Sequence, residues 1–351
     1  MKRANLDNLS CPLPLLDHDT VQLAHGAGGR LSADLMEKLI MPRCRSPELE
    51  LLGDQAVLDL PAGRVAFSTD TFVVSPIFFP GGDIGDLAVN GTVNDVAMSG
   101  ARVEALSVGL VLEEGLPLVD LHRILCSMER AAKTAGVRIV TGDTKVVNKG
   151  SCDRIFINTS GLGVIPAGLD LSPRQIRPGD VILLSGTLAD HGMAVLTTRE
   201  QLSFQSEVSS DTAALNGLVH DLLEASPGVR TLRDPTRGGV ATTLNEFAAD
   251  AQVGITVDEE AIPVRAPVRG ACEILGIDPL YVANEGKLVA VVPGDEAEAA
   301  LAALRAHPLG REAVRIGEVV AEHPGLVALR TGLGAERILD MPVGEQLPRI
   351  C

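Results

Sequence analysis

The chain has no tryptophan, one tyrosine and only 2% aromatic residues. Its cores must therefore be assembled from Val, Leu, Ile and Ala, which suits sheets covered by helices. No apolar stretch reaches the roughly 18 residues that a membrane span requires. The N-terminal segment "MKRANLDNLSCPLPLLD" also lacks the sustained apolar centre of a secretion signal. A cytoplasmic protein without a membrane partner is expected. Basic residues are in short supply, 30 against 46 acidic, for a net charge of -16. That charge repels nucleic acid and argues against any polyanion held by bulk attraction. An anionic ligand would need a local device, either a metal ion or a set of backbone N–H groups. Paired cysteines are missing as well. The six cysteines, including Cys11 and Cys152, are scattered with no CxxC, which argues against a disulfide framework or a structural zinc site. Cys126 and Cys272 read as small apolar fillers on helices. The phosphate loop GxxxxGK[ST] is absent, and in "GLGVIPAG" Pro166 stands where a dinucleotide fingerprint needs its last glycine.

At 351 residues the chain can bury two cores. Residues 1–50 form a head in which "AHGAGGRLSADLMEKLI" runs from a Gly-rich turn into a helix with Leu31, Leu35 and Leu39 on one face. A first αβ domain is expected over 51–168. It alternates the strands "RVAFSTDTFVV", "ALSVGLVL", "VRIVTGDTKVV" and "RIFINTSGLGVI" with two helices, one capped by Asp83 and ended by Gly100, the other ended by Gly136. "LSPRQIRPGD" has linker composition and puts a boundary near residue 170. A second αβ domain over 176–340 follows, with strands in "VILLSG", "KLVAVVP", "AVRIGEVV" and "LVALRT". Residues 341–351, with two prolines and a glycine, read as a mobile tail that ends in Cys351.

Three aspartates close apolar segments: Asp70 in "STDTFVV", Asp95 in "VNDVAMSGA" and Asp143 in "TGDTKVV". Converging, they would make an oxygen-rich site for Mg²⁺, through which an acidic protein can hold ATP. Taken singly, each reads first as a cap or turn residue. In "HGAGG", Gly26, Gly28 and Gly29 leave backbone N–H groups open ahead of a helix, either as a phosphate cradle or as a plain turn. Lys145 follows Asp143 closely enough to meet a phosphate, or is a solvated charge. Glu285 in "NEGKL" is a general base if buried and a turn residue otherwise. "RDPTRGGVATTLNE" reads as an anion-binding helix start.

Taken together and in this order, "VNDVAMSGA", "TGDTKVV", "DPTRGGV" and "NEGKL" resemble the ATP-dependent superfamily of aminoimidazole ribonucleotide synthetase and selenophosphate synthetase. With "HGAGG" at the head and "PRIC" at the end, the chain is similar to the carbamoyl dehydratase family of nickel-iron hydrogenase maturation. The resemblance implies an α+β fold of two αβ domains, with the N-terminal sheets of two copies pairing in a homodimer. It also implies ATP and Mg²⁺ in a cleft near that interface. In that family a HypF-type carbamoyltransferase loads a carbamoyl group on the terminal sulfur. ATP-dependent dehydration then yields a thiocyanate, and the cyano group passes to iron on a HypC-HypD complex.

An amide oxygen leaves poorly until it is phosphorylated, so such a reaction needs metal carboxylates, a phosphate cradle, a base and a presented sulfur. By resemblance Asp70, Asp95 and Asp143, with Asp54 as a fourth, hold the metal. Gly26, Gly28 and Gly29, together with Gly142, Asp143 and Thr144, meet the nucleotide. Glu285 is the base, Lys145 assists, and Cys351 carries the substrate. The eleven residues after Asp340 reach at most about 36 to 40 Å when extended. Of the rivals, a selenophosphate synthetase is expected to carry a reactive Cys in the Gly-rich head, and "HGAGG" has none. A non-catalytic scaffold with a metal-bearing tail would need a second Cys or His near Cys351. His25 and His191 carry no assigned catalytic role.

Overall fold

The computed structural model describes residues 18–27, 29–51, 55–202, 208–342 and 349–351. Gly28 and Asp54 lie outside the described residues.

The head carries helix α1 (Arg30–Leu35) and continues as a π-helical turn over Met36–Ile40. Leu35 and Leu39 are buried and Leu31 is half-exposed. A short helix α2 (Pro47–Glu50) follows, capped by the Ser46 hydroxyl. The first sheet is built from β1 (Arg64–Phe72), β4 (Arg102–Glu113), β5 (Arg138–Val147) and β6 (Ile155–Ile165), in the order β1-β6-β4-β5. Only the β4–β5 pair is parallel. Its crossover is α4 (Leu118–Ala135), which ends at Gly136 in the left-handed region (φ 71°). A two-strand ribbon, β2 (Phe78–Phe79) and β3 (Gly82–Asp83), leads into α3 (Ile84–Met98). Asp83 caps that helix by accepting from the Gly85 and Asp86 amides. Because α3 lies between the sheet and the second half of the chain, it is buried nearly all round rather than amphipathic.

The second sheet has seven strands: β7 (Val181–Leu184), β8 (Thr231–Arg233), β9 (Gly254–Asp258), β10 (Val289–Val292), β11 (Val314–Val320), β12 (Val327–Arg330) and β13 (Glu336–Ile338). They run in the order β13-β12-β9-β11-β7-β10-β8. β7 and β10 are buried at every position, as expected of central strands covered on both faces. The helices are α5 (Asp190–Arg199), α6 (Asn216–Ala225), α7 (Gly239–Ala251), α8 (Ala266–Leu275) and α9 (Ala297–Ala306).

One apolar core is continuous across the two halves. It takes Val89, Val93 and Val96 from α3, Leu215 and Leu222 from around α6, and Ile350 from the chain end. Asn94 ties the halves together by hydrogen bonds. Its amide donates to the Ala213 (3.0 Å) and Glu285 (3.3 Å) carbonyls, and its oxygen accepts from the Leu215 amide (2.7 Å). Three satisfied hydrogen bonds, two of them buried, contribute about 1 kcal/mol each, and leaving them unpaired would cost more. A second core packs Val240, Leu244 and Phe247 of α7 against the other sheet.

Candidate active site

The sharp turn before β10 is pinned on every side. The Asn284 side chain accepts from the Ala189 amide (2.8 Å) and donates to the Pro235 (3.1 Å) and Val282 (2.9 Å) carbonyls. Asp211 accepts from the Glu285 amide at 3.1 Å with one oxygen and from Lys287 Nζ at 3.0 Å with the other. A Cβ at Gly286 would overlap the Asp211 main-chain oxygen, so only glycine fits between them. The turn therefore presents Glu285 in one orientation, 2% exposed. Its Oε1 is buried without a hydrogen-bond partner. Burial, then the negative charges of Asp234, Asp211, Asp70 and Asp95, hold its carboxyl well above the usual carboxylate range.

Three further carboxyls face it. Asp70 lies on β1 and Asp95 on α3, where Asp95 accepts from Ser68 Oγ at 2.9 Å. Asp234 precedes α7; burial and then Asp95 push it up to about 7. Arg237, three residues on, lies 3.8 Å from Asp70. Clustered acids that drive one another's pKa values upward form a site that suits a cation. Among the described residues no three Asp, Glu, His or Cys side chains are already close enough to hold a metal by themselves.

The chain end returns to this cluster. The Val73 amide donates to a Cys351 carboxylate oxygen (3.1 Å) and the Ser75 amide to the Arg349 carbonyl (3.3 Å). The Arg349 carbonyl also accepts from Arg199 at 2.7 Å. The Arg349 side chain reaches the Val73 carbonyl (3.0 Å) and Asp153 (2.7 Å). Ile350 is buried in the shared core, and its carbonyl lies 3.0 Å from His191 Nε2. Cys351 is 9% exposed, and its sulfur accepts from Arg237 Nε at 3.3 Å. Burial and then the Glu285 charge push the thiol up to about 11, with Arg237 pulling the other way. The last three residues of the tail are thus docked in their own chain's cleft.

The expected site residues fall into two groups. Cys351, Glu285, Asp70 and Asp95 come together. Asp143 and Lys145 pair with each other at 3.1 Å, both 69% exposed, at the far edge of the first sheet. The register runs from Asp143 through Gly109 and Asn158 to Thr71. Three strand spacings of about 4.8 Å therefore put Asp143 about 14 Å from β1. It also sits in the outward-facing row, whereas Asp70 is one residue out of phase with Thr71 on the helix side. The four aspartates named for the metal are accordingly not one set within this chain, with Asp54 outside the described residues. Gly142 and Thr144 share the Asp143 edge. So does the head: a Cβ on Gly26 would sit 2.8 Å from Val146 Cβ, and Gly29 leads directly into α1. His25 Nδ1 accepts from the Gln22 amide at 2.9 Å, which closes the turn.

Sequence reasoning missed Asp234, Asp211 and the reach of Arg237 to the sulfur. "RDPTRGGV" signalled an anion-binding helix start and contains two of them, but a lone Asp in "SSDT" carries no signal.

Residues 52–165 match the family of AIR synthase related proteins, N-terminal domain, and residues 177–328 match the corresponding C-terminal domain. The chain is 56% identical over 336 residues to the carbamoyl dehydratase HypE of Azotobacter vinelandii, covering 96% of this chain and 98% of that protein. It superposes on the crystal structure of a hydrogenase maturation protein HypE in complex with ATP with a TM-score of 0.91. That match is at 52% identity and covers 95% of this chain and 100% of the other. On a chain of the crystal structure of a HypE-HypF complex the TM-score is 0.78 at 48% identity, covering 90% of this chain and 100% of that one. Two AIR synthase type domains, a docked terminal cysteine and near full-length identity above one half lead to one conclusion: this chain belongs to the HypE family of carbamoyl dehydratases in hydrogenase maturation.

Proposed function

We propose that this chain uses ATP to dehydrate an S-carbamoyl group on its own Cys351 to a thiocyanate, as a source of cyanide ligands for a nickel-iron hydrogenase. The observation that carries the reading is the terminal sulfur, 3.3 Å from Arg237 and within the electrostatic reach of the unpartnered Glu285. Bound MgATP supplies a phosphoryl group that makes the amide oxygen a leaving group. The overall step removes one oxygen and two nitrogen protons from S–CO–NH₂ and leaves S–C≡N, ADP and phosphate.

Glu285 accepts a nitrogen proton. A carboxyl whose pKa is raised by burial and like charges holds a proton more tightly than an ordinary carboxylate, which suits a base. Arg237 steadies negative charge at the sulfur end. Asp70 and Asp95 hold Mg²⁺. Gly26, Gly28 and Gly29 with Gly142, Asp143, Thr144 and Lys145 contact phosphate from the other edge of the sheet. That edge reaches a nucleotide through a homodimer, because the outward face of the first sheet leaves Val65 47% and Phe67 70% exposed for pairing with a second copy. A HypF-type carbamoyltransferase loads the sulfur, which fits the HypF complex of a 48% identical relative. A HypC-HypD complex accepts the cyano group. The reaction is cytoplasmic; among the described residues no helix is long and apolar enough to cross a membrane.

The test is mass spectrometry of the C-terminal peptide. Carbamoylated protein given MgATP should lose the mass of one water there, and Cys351→Ala should accept no carbamoyl group. Glu285→Gln should bind ATP and retain the water. If that variant dehydrates at the normal rate, Glu285 is not the base.

A further inference from the structure

His191, at the start of α5, is fully buried. Its Nε2 lies 3.0 Å from the Ile350 carbonyl and its Nδ1 lies 2.8 Å from Ser210 Oγ. A carbonyl only accepts, so Nε2 carries the proton and Nδ1 accepts from the serine hydroxyl. Phe79 packs edge-on to the ring at 5.4 Å and fixes its plane. Burial holds the imidazole below its ordinary pKa against the opposing pull of Asp211.

Ser210 belongs to a short segment that also touches the catalytic turn. Its amide donates to the Pro80 carbonyl (2.8 Å), and its hydroxyl oxygen accepts from the Thr212 amide (3.1 Å). The next residue, Asp211, holds the Glu285 amide and Lys287 Nζ. The Gly286 backbone lies against the Asp211 main-chain oxygen. Residues 210–212 thus contact, on one side, the ring that grips the penultimate residue of the chain and, on the other, the turn that carries the base.

We infer that His191 is a positioning residue for dehydration: through Ile350 on one nitrogen and Ser210 on the other, it registers the terminal sulfur against Glu285. The inference rests on the proposed function. The loading step does not call on His191, because a sulfur buried in this cleft has to leave it to meet a second enzyme.

The experiment uses the full-length protein and its His191→Ala, His191→Gln and Ser210→Ala variants. Nucleotide affinity and circular dichroism are measured first. Two readouts follow: single-turnover dehydration of the carbamoylated protein with saturating MgATP, and alkylation of the unloaded Cys351 at pH 8, both read on the C-terminal peptide. A 1 Å misplacement costs on the order of a hundredfold in rate, so His191→Ala should dehydrate at least about tenfold more slowly and alkylate faster, with ATP affinity and carbamoylation unchanged. His191→Gln, whose amide can donate to the same carbonyl, should recover part of both, and Ser210→Ala should show a smaller defect. Wild-type rates and alkylation in His191→Ala would overturn the inference. So would equal losses in the Ala and Gln variants accompanied by weakened ATP binding, which mark a merely structural residue. If the wild-type protein itself loses no water, the proposed function fails, and the alkylation comparison alone decides whether His191 holds the tail.

Discussion

Arg237 and Cys351, 114 positions apart in sequence, meet through a 3.3 Å hydrogen bond from Nε to sulfur. A second nitrogen of the same guanidinium lies 3.8 Å from Asp70. One side chain therefore joins a carboxylate of the first sheet to the last atom group of the chain. A planar fork with several fixed donors suits such a bridge; a lysine ammonium does not.

Removing that donor should be felt in the chemistry. A hydrogen bond to a charged group is worth about 1.5–3 kcal/mol, so Arg237→Met should slow dehydration by roughly tenfold to a hundredfold. Loading of Cys351 by the carbamoyltransferase should stay unchanged. Quench-flow on the carbamoylated protein checks the first point, and radiolabel incorporation from carbamoyl phosphate the second. An unaltered dehydration rate would remove Arg237 from the site.

The docked thiol should show its surroundings in its pH profile. Its ordinary value is 9.0, and burial beside Glu285 raises it to about 11. A group whose pKa is raised on docking favours the docked state fully below the ordinary value, and that preference is lost as pH climbs through the raised one. Alkylation of Cys351 at pH 9 should therefore lag behind that of a peptide of the last ten residues, with the gap closing towards pH 11. Equal rates at pH 9 would mean that the terminus spends its time out of the cleft.

Asp83 gives a stability prediction. Burial, reinforced by Asp86, pushes its carboxyl from 3.8 up to about 6, although it caps α3 and accepts from Ser127 Oγ at 2.5 Å. Stability from this group is complete below pH 3.8 and is lost as pH rises through 6. Asp83→Asn keeps a capping oxygen without the charge. The variant should gain on the wild type by about 1.4 kcal/mol between pH 5 and pH 8, the part of the shift that lies above pH 5. Urea midpoints at the two pH values measure this, and a parallel pH dependence in both proteins would contradict it.

The open face of the first sheet yields a test of assembly. Phe67 is 70% exposed, and its register partner Leu162 on β6 is half-buried beside it. Phe67→Glu should convert a dimer to a monomer in sedimentation equilibrium while leaving the far-ultraviolet spectrum intact. ATP turnover should fall with it, because the Asp143 edge then has no second copy to serve. A monomeric wild type, or a dimeric Phe67→Glu, would rule out this interface.

Much of this arrangement can be read from the residues in order. The Asp83 cap and the Gly136 stop delimit α3 and α4 because capping is local chemistry. Strand β9 passes unnoticed, and helix α8 is never bounded. "GITVD" is short, and in "APVRGACEIL" Pro267 and Gly270 blur a helix of which only Cys272, as a filler, gives a sign. Within the site, Glu285 stands out because a glycine follows it in a sharp turn. Asp143 looks equivalent to Asp70 in sequence, but strand order and a one-residue difference in phase put it on another edge and face. Neither property is local. Asp211 is invisible and His191 carries no role for the same reason: their partners are Glu285 and Ile350, the latter 159 positions from His191.

The last three residues are held by main-chain oxygens, by Arg349 and by the buried Ile350 side chain, and among the described residues Arg237 is the side chain that hydrogen-bonds the sulfur. Most of the hydrogen bonds of the cleft go to the handle and one goes to the load. Free, carbamoylated and cyanated termini should consequently seat with similar affinity. Under the proposed function, turnover between successive chemical states then depends on other proteins competing for the arm.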